Sequence, residues 1–203
     1  MTKIPTLYYF NSRGRGEGTR LLLTLAGVKF NDVRYNSALT PEIRSKTTYG
    51  TLPFYEDDDI QLAQSLAIES YLAGKFGLAG ESPIERAKIL SVSQAAIDFV
   101  LPIFHSDTDE KKNRFKNDTL PRLLNSYERL LIDNRNTTNE GKYIVGNKLS
   151  WADVSVFYVV DFLLFKGFGE LVNQYPALNF AKSSFESIPV INDYLQQRAQ
   201  NNN

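Results

Sequence analysis

Apolar and polar residues follow two different rhythms along the chain. Thr6-Leu7-Tyr8-Tyr9-Phe10 is short, aromatic and suited to a pleated surface, which predicts a strand that Asn11-Ser12-Arg13-Gly14 closes as a loop. From Glu17 to Ala26, residues Leu21, Leu22, Leu25 and Ala26 form a helical stripe that Gly27 terminates. Asn31 to Tyr35 reads as a second, weaker strand. Strand, helix and strand in that order are satisfied by a parallel pair joined by a crossover helix. After a polar stretch, with one helical turn around Pro41 to Arg44, residues 52–56 and 60–62 flank three aspartates and predict a hairpin. Ser65 then stands where a helix N-cap belongs, and Ile68, Tyr71, Leu72 and Phe76 form that helix's buried face.

Gly77-Leu78-Ala79-Gly80-Glu81-Ser82-Pro83 is the one convincing linker, and beyond it strand alternation disappears. Glu85 to Phe104, Phe115 to Asp133, Ser150 to Phe165, Asn179 to Ile188 and Val190 to Ala199 all read as helices. The expectation is therefore an α/β unit over 1–79, ordered βαβ then ββα, followed by an all-α domain over 83–203. Gln200-Asn201-Asn202-Asn203 reads as a polar tail. Ser150-Trp151-Ala152-Asp153 is a variant capping box, in which Asp153 reaches back to the Ser150 amide; this makes Asp153 a folding residue rather than a catalyst.

Composition narrows the chemistry. Lys plus Arg number 23, as do Asp plus Glu, and no basic run offers the face a nucleic-acid binder needs, so nucleic acid is not an expected partner. No stretch approaches the roughly 20 apolar residues of a bilayer span, and the first residues carry no apolar signal core, so a cytoplasmic location without membrane partners is expected. The chain has no cysteine, which removes disulfides, cysteine zinc sites and a protein thiol nucleophile. Any thiol chemistry must use sulfur carried by a small molecule. The single histidine, His105, argues against a histidine triad or a multi-histidine metal site.

Four features can carry chemistry, and each has a plainer alternative. Tyr9 ends the first strand, where ligands sit in open α/β sheets; its hydroxyl either donates to an anion or belongs to the core. Arg13 and Arg15 in the following turn read as solvated or salt-bridged. Gln64-Ser65 opens a helix after the hairpin, so Ser65 either takes a carboxylate with the free amides or caps its own helix. Leu52-Pro53, following Gly50-Thr51, can turn free backbone groups towards an extended peptide if its bond is cis.

These features, in their order along the chain, resemble the cytosolic glutathione transferases from end to end. Tyr9-Phe10-Asn11-Ser12-Arg13-Gly14-Arg15 resembles the sigma class in particular, the group of the haematopoietic prostaglandin D synthases and S-crystallins. Gly50-Thr51-Leu52-Pro53 resembles its cis-proline segment, Gln64-Ser65-Leu66-Ala67-Ile68 its glutamyl-binding helix start, and Val145 to Asp153 its helical-domain capping motif. The resemblance implies a thioredoxin-like N-terminal domain and a glutathione site in which Tyr9 hydrogen-bonds the thiolate and Arg15 steadies it. Leu52 pairs its backbone with the cysteinyl part, Gln64 and Ser65 hold the γ-glutamyl end, and Arg44 stands near the glycyl carboxylate. Asp98 of a neighbouring subunit reaches the glutamyl amine. Thr40 and Thr51 replace residues that are often tryptophan and lysine in this class, which implies a weaker hold on the glycyl end.

The same resemblance implies a homodimeric enzyme with glutathione as co-substrate and no metal, since Gln94, Ile97 and Asp98 replace the acidic cluster of prostaglandin D synthase. Tyr49 is a candidate for packing into the partner. The enzyme conjugates glutathione thiolate to hydrophobic electrophiles, in the manner of detoxification, in an apolar pocket between the domains walled by Phe10, Phe104, His105 and residues near Leu163-Leu164. A glutathione-dependent prostaglandin-type isomerase uses the same thiolate, and a catalytically weak S-crystallin-like protein is the third reading.

Overall fold

The structure is a computed structural model that describes residues 3–105, 108–138 and 142–200, the side chains of 100–105 and 138 excepted. Residues 201–203 of the expected tail therefore lie outside the described residues. Two compact units are present. One comprises Met1–Phe76 with Ile188–Asn203, and the other Gly77–Ser187.

In the first unit, β1 (Thr6–Phe10) and β2 (Asn31–Tyr35) run parallel on either side of α1 (Glu17–Leu25) in the sequence. Then come α2 (Pro41–Lys46), β3 (Phe54–Glu56), β4 (Gln61–Ala63) and α3 (Ser65–Lys75). The sheet order is β2-β1-β3-β4, with β3 antiparallel to both of its neighbours. A 3₁₀ turn, Gly14–Gly16, leads into α1. α1 is buried from Glu17 to Leu23, because α3 and α10 (Pro189–Gln200) both pack on it. Hence Leu21, Leu22 and Leu23 form its core face, while Leu25 and Ala26, expected there, are only half-buried.

The aspartate-rich turn holds the hairpin against α3. Asp57 accepts the N–H groups of Asp59 (2.9 Å) and Ile60 (3.0 Å), the hydroxyls of Tyr55 (3.1 Å) and Tyr71 (3.0 Å), and Lys75 Nζ (2.9 Å).

The second unit is helical: α4 (Pro83–His105), α5 (Asp109–Arg114), α6 (Leu120–Thr138), α7 (Trp151–Phe165), α8 (Gly169–Val172) and α9 (Pro176–Glu186). A π-helical segment, Phe115–Thr119, joins α5 to α6, so the expected single helix from Phe115 is interrupted and starts earlier. Thr108 caps that earlier start by accepting the Lys111 N–H. α9 begins at Pro176, before the expected Asn179, because Glu128 of α6 accepts the N–H groups of Ala177 (2.9 Å) and Leu178 (2.8 Å). The capping box is present at α7. Asp153 takes the Ser150 N–H and hydroxyl at 2.8 and 2.9 Å and the Ile144 N–H at 2.8 Å.

α10 packs in the first unit rather than with the helices before it. Tyr194 Oη and Arg198 Nη1 both donate to Glu17 Oε1 of α1, at 2.8 and 2.6 Å.

Candidate active site

Tyr9, the penultimate residue of β1, is 7% exposed, and its Oη accepts the backbone N–H of Arg15 at 2.8 Å. The ring lies directly on the 3₁₀ turn. A Cβ added at Gly14 would stand 2.6 Å from Oη, and one at Gly16 would stand 2.6 Å from two ring carbons. Glycine at these positions is what lets the turn approach closely enough for the Arg15 N–H to reach the phenol. Burial raises the Tyr9 pKa above that of an ordinary phenol, against the opposing pull of the Arg15 N–H and the Arg15 and Arg20 charges. Tyr9 is therefore neutral at physiological pH and retains one proton to donate.

Arg20 shapes the same turn from beneath and is fully buried. Its Nη1 donates to Ser12 O (2.9 Å) and Arg13 O (3.4 Å), and its Nη2 to Phe10 O (3.4 Å). Nε is held by both oxygens of Asp32, and Nη1 also meets Glu17 Oε2 at 3.1 Å. The guanidinium carbon lies 5.7 Å from the Tyr9 ring centroid. Burial works against the charge on both Glu17 and Arg20, yet their mutual attraction, with Arg198 and Asp32, keeps Glu17 lowered and Arg20 raised.

Gln64 departs from the ordinary backbone. Its φ of 75° lies in the left-handed region, the only such non-glycine value among the described residues. A residue held there costs on the order of 1–3 kcal/mol and persists where its surroundings impose it. Gln64, not Ser65, is the N-cap of α3, and no side chain caps that end. The expectation that Ser65 caps its own helix is thus corrected by one position. Ser65 is the first helical residue, buried at 5% exposure, and its hydroxyl has no partner among the described residues. A free hydroxyl beside free helix-start amides suits a carboxylate.

The Leu52-Pro53 bond is cis. Leu52 is half-buried, and neither of its backbone groups is hydrogen-bonded among the described residues. Gly50 has a φ of 68°, its N–H donates to Thr47 O, and its carbonyl faces Arg44 Nη1 at 3.5 Å. Thr51 is exposed. Thr40 caps α2: its Oγ1 accepts the Ile43 N–H at 3.5 Å and donates to Glu42 at 3.2 Å. Arg44 is exposed and makes no ion pair among the described residues.

Nine of the ten expected site residues thus belong to the first unit. Asp98 lies on α4 of the second, exposed, and accepts from Gln94 Nε2 at 2.8 Å. Tyr49 is 64% exposed. Among the expected wall residues, Phe10 is partly exposed and packs edge-on to Tyr9, with ring centroids 5.5 Å apart. Leu163 is buried and Leu164 half-buried, while the side chains of Phe104 and His105 lie outside those described. Sequence reasoning missed Gly14, Gly16, Glu17 and Arg20. The signal was there: alternating glycines directly after an aromatic strand, and an i,i+3 charge pair inside an apolar stripe.

Known proteins resemble this chain in sequence and fold over nearly its whole length. The profile of the glutathione S-transferase N-terminal domain matches residues 5–74, and that of the C-terminal domain matches 97–198. The hematopoietic prostaglandin D synthase of Gallus gallus is 35% identical over 196 residues, 95% of each chain. The chain belongs to the glutathione S-transferase family. Glutathione S-transferase 1 of Ascaris suum is 36% identical over 157 residues, 74% of this chain and 75% of its own. The solved structure of the Onchocerca volvulus Pi-class glutathione S-transferase superposes with a TM-score of 0.87 at 27% identity, covering 98% of this transferase and 96% of its own chain. Among the described residues of the transferase, no helix is long and apolar enough to cross a membrane. No group of three or more His, Asp or Glu among them is arranged to hold a metal ion.

Proposed function

We propose that this transferase is of the sigma type and ionises bound glutathione with the Tyr9 hydroxyl. The observation that carries the reading is the Arg15 N–H on Tyr9 Oη. It fills the acceptor side of the phenol and leaves its proton to point at a sulfur. A thiol with a pKa of roughly 8.5 is only a few per cent thiolate at neutral pH. Lowering that value by about two units takes about 2.7 kcal/mol, within reach of a buried, charge-assisted hydrogen bond aided by nearby positive charge. The thiol proton leaves to water. The sulfur lone pair then forms a C–S bond with an apolar electrophile, and the displaced group departs with the bonding pair.

The rest of the tripeptide follows the polar groups left free. Leu52 offers backbone N–H and C=O to the cysteinyl unit, Gln64 and Ser65 hold the γ-glutamyl carboxylate and amine, and Arg15 stands by the thiol. Gly50, Thr51, Arg44 and Thr40 bound the glycyl end. Asp98 acts from a second subunit of a homodimer, with Tyr49 packing at the same contact, in a cytoplasmic protein. Sedimentation yielding a particle of one chain mass would overturn the dimer.

The test is Tyr9→Phe. Turnover with an aryl halide should fall about 10²-fold or more while glutathione affinity is kept, and the ultraviolet thiolate band of the binary complex should titrate near the free thiol's pKa. Unchanged titration would overturn the reading. The similarity to a prostaglandin D synthase supports a second activity of the same thiolate, isomerisation of an endoperoxide, which prostaglandin precursor assayed beside aryl halides would reveal.

A further inference from the structure

α2 is built almost without a core. Only Ile43 of Pro41–Lys46 is half-buried, and the rest are exposed. A segment with so little apolar burial is held by its polar contacts. The Thr40 cap is local to the helix. Lys46 is different, because it reaches the sheet. Its Nζ donates to Tyr8 Oη at 2.6 Å and to Glu56 Oε1 at 3.2 Å, and lies 4.1 Å from the Tyr8 ring centroid. Tyr8 Oη donates to the same Glu56 oxygen at 2.8 Å. Glu56 is 6% exposed, and its other oxygen meets Lys3 Nζ at 3.3 Å and Gln61 Nε2 at 3.4 Å. Among the described residues, Lys46 is the only α2 side chain hydrogen-bonded to a strand.

Residues two apart on a helix point about 200° apart around its axis. Lys46 turned into the sheet therefore turns Arg44 away from it, to where its guanidinium meets Gly50 O. With threonine at 40 and 51, Arg44 is the one cation this stretch offers to a glycyl carboxylate.

We propose that Lys46, Tyr8 and Glu56 form a latch that fixes α2 on the sheet and so positions Arg44 for the glycyl end of glutathione. The inference rests on the proposed role of Arg44 at that end. Tyr8 faces away from Tyr9 by strand alternation, so the latch governs recognition of one end of the substrate and leaves the phenol alone. All three are positioning residues.

The experiment compares glutathione with γ-glutamylcysteine, which lacks glycine, by calorimetric titration of the full chain. Lys46→Met keeps the aliphatic stem on an exposed helix, so it decides the matter even if Tyr8→Phe fails to fold. Both variants should weaken glutathione about three- to tenfold, leave γ-glutamylcysteine binding unchanged, and raise KM for glutathione without lowering kcat. Equal weakening of both ligands, or of neither, overturns the latch. Arg44→Ala is the control. Selective loss there without loss in the latch variants sinks the latch alone; no selective loss there sinks the reading of Arg44 and the latch with it.

Discussion

The backbone N–H of Arg15 ends 2.8 Å from the phenolic oxygen of Tyr9, so a main-chain group orients the hydroxyl assigned to the thiol. A phenol has one proton to give, and the direction of that proton is set by what its oxygen already accepts. Burial keeps the group neutral, and the Arg15 N–H with the Arg15 and Arg20 charges strengthens it as a donor. The turn that aims this N–H has its own carbonyls tied to Arg20, whose charge is balanced by Glu17 and Asp32. The donor is thus set by a chain of contacts from α10 through α1 to β1.

The ring and turn have no spare room. Gly16→Ala puts a methyl 2.6 Å from the Tyr9 ring, so ring or turn must move. We expect a stability loss of about 1–3 kcal/mol in urea unfolding and a turnover loss on the order of 10²-fold, as misplacement of a catalytic group by about 1 Å produces. Wild-type turnover in Gly16→Ala would show that the contact is not needed.

Much of this was legible in the sequence, and the parts that were not share a cause. β1 has the expected bounds because it is a short β-prone run ended by loop residues, and β2, weaker in sequence, is held over its expected bounds by parallel pairing with β1. Tyr9, Pro53 and the Gln64-Ser65 pair were found as side-chain types in order. The Arg15 N–H and the Gln64 φ were not, since both are backbone geometry imposed by tertiary contacts. The N-cap of α3 was misplaced for the same reason: Ser65 is the better capping residue, yet the left-handed Gln64 puts it inside the helix. Glu17 and Arg20 are recognisable as an i,i+3 charge pair, but charges at a helix start normally face water, so their burial follows only from the packing of α10 on α1.

Gln64 exchanges stability for recognition. Gly adopts a φ of 75° freely, so Gln64→Gly should gain roughly 1 kcal/mol in thermal or urea unfolding. The same variant should weaken glutathione binding by about tenfold through the lost amide. Loss of both stability and affinity would count against strain at this position.

Glu17 is 1% exposed and neutralises two arginines. Removing one partner of a buried ion pair leaves the others uncompensated, at about 3–5 kcal/mol. Glu17→Ala should lose stability in that range and release α10, seen as faster amide exchange from Pro189 to Gln200. A loss below about 1 kcal/mol would mean that water replaces the pair without penalty.

Acid should reach the first unit through Asp57. Burial disfavours its charge, but Lys75, the Asp59 N–H and the two tyrosine hydroxyls outweigh that and hold its carboxyl down to about 2. A carboxyl whose folded pKa is depressed adds stability above its unfolded value of about 4, and that stability is lost as pH falls from about 4 to about 2. The side chain is 5% exposed but Lys75 is 37% exposed, so solvent screening holds the contribution to about 2 kcal/mol or less. Asp153 slopes the other way: burial pushes its carboxyl up to about 6 against the pull of four donors, so its own share of stability falls as pH rises from about 4 to about 6. Asp57→Asn should flatten the fall below pH 4 in urea midpoints and leave the window from 4 to 6 untouched. A variant whose midpoint falls between pH 4 and 2 as steeply as wild type would remove Asp57 from the account.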